Sequence, residues 1–346
     1  MISRRVHIVV LSLGLALLLG LAPAFAQAGT TSGFAPIDRP GPELSVPPEQ
    51  LREALRCHGD PGSGQQPVLL NPATSVTPEQ NYSWTYAKAF TEQDRFWCAV
   101  TMPEHTLGDI QVAGEYLAHS VREVHRLTGK RIAVLGHSQG GMNMRWSLRF
   151  WPDLRPLVDD VIGMAPSNHG TQSLKGCGPA PAECEPAVWQ QLAGSEFMRA
   201  LNSRTETFEG ISYTVVYSRF DEVVTPPESS ELHTGGGLIS NVATQDVCAT
   251  NTSSHLLVGT IDPVTYALVE DALNNPGPAD PARVDSSVCG QPLMPHVDPA
   301  SVDTYLQPVA AIPGLLSTAL PGVNLVGGRS VDREPRLRCY VYAAGC

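Results

Sequence analysis

Apolar positions along this chain change their spacing repeatedly, and each change marks an element. Val68-Leu69-Leu70 is a short unbroken run that stops at Asn71-Pro72, as a strand buried on both faces would. Phe96 to Thr101, Ile132 to Leu135, Val161 to Met164 and Ser212 to Tyr217 read the same way. Between them the spacing lengthens. Ala113, Leu117, Val121 and Val124 recur at helical intervals within Leu107 to Thr128, and Gly129 supplies a stop. Helices are also predicted over Trp84 to Gln93, Gly141 to Phe150, Val188 to Leu201 and Pro263 to Leu273, the last with Asp262 as its N-cap. Strands alternating with helices predict an α/β fold: a mainly parallel sheet with helices on both faces. No repeat or linker divides the chain, so residues 29–346 are read as one domain, opening in an extended arm from Gly29 to Pro48.

Two segments fall outside this alternation. Arg4 and Arg5 precede an apolar run from Ile8 to Leu21, followed by small-residue sites at Ala24-Phe25-Ala26 and Ala26-Gln27-Ala28. Residues 1–28 therefore read as a secretory signal peptide, and the mature protein as exported. From about 300 to 325, Leu306, Val309, Ile312, Leu315 and Leu316 are interrupted by Pro308, Pro313 and Pro321. This is expected to be a broken amphipathic segment that closes the core and walls the mouth of a site.

Charge and cysteines narrow the function. The chain carries 23 basic and 34 acidic residues, a net −11; without Arg4 and Arg5 this becomes 21 − 34 = −13. Such a balance argues against nucleic acid and against docking on anionic membranes. Eight cysteines in an exported chain imply disulfides. No C-x-x-C spacing or neighbouring histidine suggests a metal, and no cofactor motif appears. Two short-range pairs suggest themselves, Cys177 with Cys184 and Cys339 with Cys346, leaving Cys57, Cys98, Cys248 and Cys289 for longer loops.

The chemistry centres on Gly136-His137-Ser138-Gln139-Gly140, a G-x-S-x-G placed between an apolar strand and a helix. In that context it reads as a nucleophile elbow, a sharp turn that projects the serine from the sheet. An acid and then a histidine should follow, each on a loop after a strand. Asp221 lies just past the end of Thr214-Val215-Val216-Tyr217; Glu222 beside it should point the opposite way. Downstream histidines are His233, His255 and His296. His233 adjoins a run of three glycines and His296 a proline-rich segment, whereas His255 sits on a loop anchored by Cys248, a sound mount for a base. The N–H of Gln139 is one oxyanion donor by construction of the elbow. A second is expected from the loop Asn71 to Thr77, where Thr74 offers both an N–H and a hydroxyl.

Together these segments resemble the Candida antarctica lipase B group of α/β-hydrolases, from about Leu51 to Leu273 with a weaker echo at Glu334-Pro335-Arg336-Leu337. The most specific stretches are Ser138-Gln139-Gly140-Gly141, Ala165-Pro166 leading to Gly170-Thr171, and Pro186-Ala187-Val188-Trp189-Gln190-Gln191. Tyr217-Ser218 with Asp221-Glu222-Val223-Val224 adds to them, as does Asn241-Val242 with Val247-Cys248. The resemblance implies a disulfide-stapled α/β-hydrolase fold, a triad of Ser138, Asp221 and His255, and Thr74 and Gln139 as the oxyanion hole. It puts His137, Ser167, Gln191 and Val223 at the substrate pocket, and pairs Cys57 with Cys98 and Cys248 with Cys289. It also implies a monomeric secreted lipase or carboxylesterase acting on acylglycerol or fatty-acyl esters, with transient contact at a lipid interface. Acyl transfer or polyester cleavage is the alternative chemistry. The chain departs from the family in having His137 where a tryptophan precedes the serine, Ser167 where an acid follows Ala-Pro, and Ala73 and Ser75 where glycines flank the threonine.

Overall fold

The computed structural model describes residues 33–173, 183–302, 304 and 328–346. Its centre is one seven-stranded sheet: β1 (Leu55–His58), β2 (Val68–Asn71), β3 (Trp97–Val100), β4 (Ile132–His137), β5 (Val158–Met164), β6 (Ser212–Tyr217) and β7 (Leu238–Ala243). The strand order is β1-β3-β2-β4-β5-β6-β7, with β1 antiparallel to β3 and every other pair parallel. This confirms the α/β-hydrolase fold class.

Successive strand residues face opposite layers. Leu69 and Val134 pack into one core with α1 (Pro48–Ala54), α2 (Ile110–Thr128) and α3 (Gln139–Phe150), through Ala113, Leu117, Val121, Met142 and Leu148. Val68, Leu70, Ala133 and Leu135 point to the other core, covered by Tyr86 and Phe90 of the helix Tyr86–Glu92 and by Leu268, Val269 and Ala272 of α4 (Pro263–Asn274). Both faces being covered is why the central strands read as continuous apolar runs. Asp109 caps α2 by accepting from Gln111 N–H, and Gly129 ends it in the left-handed region at φ 66°. Asp262 caps α4 as expected, accepting from Thr265 N–H.

The structure differs from the sequence reading at identifiable places. The single helix expected over Val188 to Leu201 is two, Pro186–Gln190 and Glu196–Leu201. Gly194 at φ 82° breaks it, and Ser195 caps the second piece by accepting from Met198 N–H. The two edge strands carry no run buried on both sides: alternate residues of β1 are exposed, and β7 is buried only at Val242 and Ala243, with Leu238 at its start 60% exposed. The helix after the elbow begins at Gln139, not Gly141.

Disulfides Cys57–Cys98, Cys248–Cys289 and Cys339–Cys346 are present. The first spans directly paired residues of β1 and β3. The expected signal peptide, Cys177 of the Cys177–Cys184 pair, and nearly all of the apolar segment at 300–325 lie outside the described residues. No helix among the described residues is long and apolar enough to cross a membrane.

Candidate active site

The turn after β4 is built by backbone crowding. Ser138 sits at φ 56°, ψ −124°, a left-handed conformation costly for a side-chain-bearing residue. It is held there: Ser138 N–H donates to Met164 O at 2.8 Å, and Ser138 O accepts from Gly141 N–H at 2.9 Å. A Cβ on Gly136 would collide with the Gly140 carbonyl, and one on Gly140 with the carbonyls of Asn71 and Pro72. Both glycines of the motif are thus required by close approach. Tyr82 reinforces the turn, its hydroxyl donating to Asn71 O (2.7 Å) and accepting from His137 N–H (3.0 Å).

Asp221 lies just past the carboxyl end of β6. Its Oδ1 accepts from the N–H groups of Val223 (2.9 Å) and Val224 (2.8 Å), and its Oδ2 accepts from His255 Nδ1 at 2.8 Å. Three donors leave that buried carboxylate one orientation. His255 opens the short helix His255–Val258, and its own N–H donates to Glu222 Oε2 at 3.1 Å. Burial alone would lower the His255 pKa, but the bonded charge of Asp221, with Glu222 beyond it, raises it above 6.5. With Nδ1–H given to Asp221, Nε2 is the unprotonated face of the neutral ring. No hydrogen bond joins Ser138 Oγ to His255 among the described residues; a bond of this kind is often long until a bound molecule tightens it.

His137, expected at the substrate pocket, is buried, and its ring lies against that of His255, with centroids 5.2 Å apart. Burial first, and the neighbouring His255 second, hold its pKa down at about 3, so the ring is neutral. Its Nε2 lies 3.2 Å from His255 O and its Nδ1 3.5 Å from Asn81 Nδ2, while Asn81 Oδ1 accepts from Ala73 N–H at 2.9 Å. A neutral ring donating from Nε2 and accepting at Nδ1 therefore links the Thr74 loop to the backbone of His255.

The remaining residues converge on Thr74, whose Oγ1 lies 3.2 Å from Gln139 Nε2 and 3.1 Å from Gln191 Nε2. Ser167 Oγ donates to Gln191 Oε1 at 2.9 Å. Val223 contributes backbone: its N–H to Asp221 and its carbonyl to Thr171 Oγ1 at 2.6 Å. All of these side chains are buried. The structure thus gathers Thr74, His137, Ser138, Gln139, Ser167, Gln191, Asp221, Val223 and His255 at one end of the sheet. His233 instead neighbours His169 and Glu206, and His296 bonds Glu92.

Sequence reasoning missed Tyr82, Asn81 and Thr106, whose carbonyl fixes the Gln139 side chain at 3.0 Å. Their partners are distant in sequence, and no local pattern marks them. Asn81, which opens an Asn-x-Ser pattern, is instead a buried structural amide. Among the described residues, no three His, Cys, Asp or Glu side chains gather into a set that could hold a metal ion.

The family model for lipase (class 2) matches residues 115–258, a span that holds Ser138, Asp221 and His255 but not Thr74. Lipase B of Pseudozyma antarctica is 33% identical over 211 residues, covering 60% of this chain and 61% of its own length. The chain therefore spans about three-fifths of that relative. The crystal structure of Aspergillus fumigatus lipase B superposes with a TM-score of 0.75 at 29% identity, covering 88% of this chain and 74% of that one.

Proposed function

Because this chain belongs to the lipase B-like family of α/β-hydrolases, we propose that it is an exported serine esterase of the lipase and carboxylesterase class, acting on fatty-acyl or acylglycerol esters through an acyl-enzyme. The observation that supports the reading most is the buried Asp221–His255 bond, whose histidine ring lies 5.2 Å from that of His137, the residue before the strained Ser138. His255 Nε2 takes the Ser138 proton as Oγ attacks the ester carbonyl. Asp221 holds the tautomer and stabilises the imidazolium. The Gln139 N–H, at the first position of α3, and Thr74 stabilise the oxyanion. The imidazolium then protonates the leaving alcohol, and a water activated by the same histidine releases the acid.

Residues 29–346 would make up the catalytic domain, acting as a monomer that touches a lipid interface only while substrate enters. A net-negative chain fits neutral ester substrates better than anionic surfaces. The burial of Ser138 and His255 supports acyl transfer to an alcohol as a second outcome of the same acyl-enzyme, since a sheltered ester meets less water.

The test is hydrolysis of p-nitrophenyl esters from acetyl to palmitoyl by wild type and Ser138→Ala. Activity that peaks at medium or long chains and falls about 10⁶-fold in the variant supports the reading. Equal activity in both proteins refutes it. Added alcohol diverting product from acid to ester would reveal the transfer branch.

A further inference from the structure

Thr74 is surrounded in an unusual way: two side-chain amides present their nitrogen ends to one hydroxyl. Neither amide can turn round without loss. Gln191 Nε2 also donates to Ala187 O at 3.2 Å, a carbonyl that only accepts, while Gln191 Oε1 receives Ser167 Oγ–H at 2.9 Å. Gln139 Nε2 also donates to Thr106 O at 3.0 Å, and Gln139 Oε1 receives Asn143 Nδ2–H at 3.1 Å. Each amide is thus pinned at its nitrogen end by a backbone carbonyl, which can only accept, and the Ser167 hydroxyl and the Asn143 amide complement the oxygen ends. The hydroxyl of Thr74 has two lone pairs and one proton. With both lone pairs receiving N–H groups, the proton has nowhere to go except away from the amides.

We propose that the Ser167–Gln191 pair, with the Gln139 side chain, is a polarity relay that forces the Thr74 hydroxyl to act as a donor toward the oxyanion. Gln191 and Ser167 are then positioning residues, not substrate contacts, and Gln139 serves twice, by its backbone N–H and by its side chain. Ser167 completes the relay in a way a carboxylate would not, because its hydroxyl donates to Oε1. The inference rests on the acyl-enzyme reading of Ser138. Its consequence is preorganisation: the hydroxyl proton is oriented before substrate arrives, so no reorientation is paid as charge develops.

The test is a set of substitutions read by kcat and KM on p-nitrophenyl butyrate. Gln191→Glu keeps size but replaces a donor with an acceptor that captures the Thr74 proton. It should lower kcat about 10²-fold with KM within about twofold, matching Thr74→Val. Gln191→Met, which removes the donor without adding a charge, should cost about three- to tenfold and serves if the charged variant does not fold. In a Thr74→Val background neither substitution should cost anything further, because the hydroxyl they act through is gone. Thr74→Ser should retain most of the activity. Losses that add fully to Thr74→Val, or variants that raise KM and leave kcat intact, would overturn the relay. Fluorophosphonate titration of wild-type Ser138 separates the two levels: an unreactive serine would sink the acyl-enzyme reading itself, whereas a reactive serine with additive losses sinks only the relay.

Discussion

Replacing Asp221 with Asn tests the site where its geometry is tightest. The amide must choose an orientation. If its oxygen turns to His255, its NH₂ faces the N–H groups of Val223 and Val224, which now donate to Oδ1 at 2.9 and 2.8 Å. Two buried donors would then lack partners, at about 1–3 kcal/mol each, or about 2–6 kcal/mol together. If the oxygen stays with Val223 and Val224, the NH₂ faces His255 Nδ1 across the present 2.8 Å contact. The imidazole can answer by moving its proton to Nε2, keeping every bond satisfied. The second arrangement wins on energy, and it places a proton where the base should be. Asp221→Asn should therefore fold normally and lose about 10⁴-fold in kcat, equivalent to about 5 kcal/mol of transition-state stabilisation. Steady-state ester hydrolysis with a parallel thermal melt is the assay. Activity within tenfold of wild type, in a variant that melts like wild type, would refute the tautomer argument.

Other expectations follow from the same contacts. The raised His255 pKa puts the acidic limb of kcat/KM above pH 6.5, and Glu222→Gln, which keeps an acceptor for His255 N–H but removes a charge, should move that limb to lower pH; a wild-type limb below 6.5, or an unmoved one in the variant, contradicts this. Burial chiefly raises Asp160 to about 7, so its carboxylate opposes folding progressively from pH 3.8 to 7 and fully above. Asp160→Asn should accordingly stabilise by about 1–3 kcal/mol at pH 8, with the gain fading through that window and absent below it; urea unfolding at pH 8 and pH 3.5 would show the difference, and equal gains at both would dismiss it. Gly140→Ala drives a methyl into the carbonyls of Asn71 and Pro72 and should cost about 1–3 kcal/mol together with most activity; a wild-type urea midpoint would contradict it.

Much of this could be read from the chain because the central strands are buried on both sides. Ile132–Leu135 and Val68–Leu70 carry their burial in composition, and the glycines around Ser138 announce a turn that only small residues permit. The edge strands lack that signal, since half of Leu55–His58 faces solvent. The split after Gln190 was hidden because Val188, Phe197 and Leu201 are all buried and keep an apolar pattern across Gly194. Candidate site residues could be nominated from the sequence where a motif or a strand end marks them: Ser138 in its G-x-S-x-G, Asp221 just past Tyr217, and Thr74 in the loop after Leu70. Tyr82, Asn81 and Thr106 could not, because each acts on a residue at least 11 positions away. The residue at 137 shows the same limit. Its identity is plain in the sequence, but its neutral, doubly bonded state depends on Asn81 and His255.

The central claim is a covalent acyl-enzyme on Ser138. The most direct measurement is mass spectrometry of protein quenched during turnover of a p-nitrophenyl ester, followed by peptide mapping. The account predicts an added acyl mass on the peptide bearing Ser138, accumulating with a burst of p-nitrophenol and absent from Ser138→Ala. Turnover without any adduct, or an adduct on another residue, would contradict it.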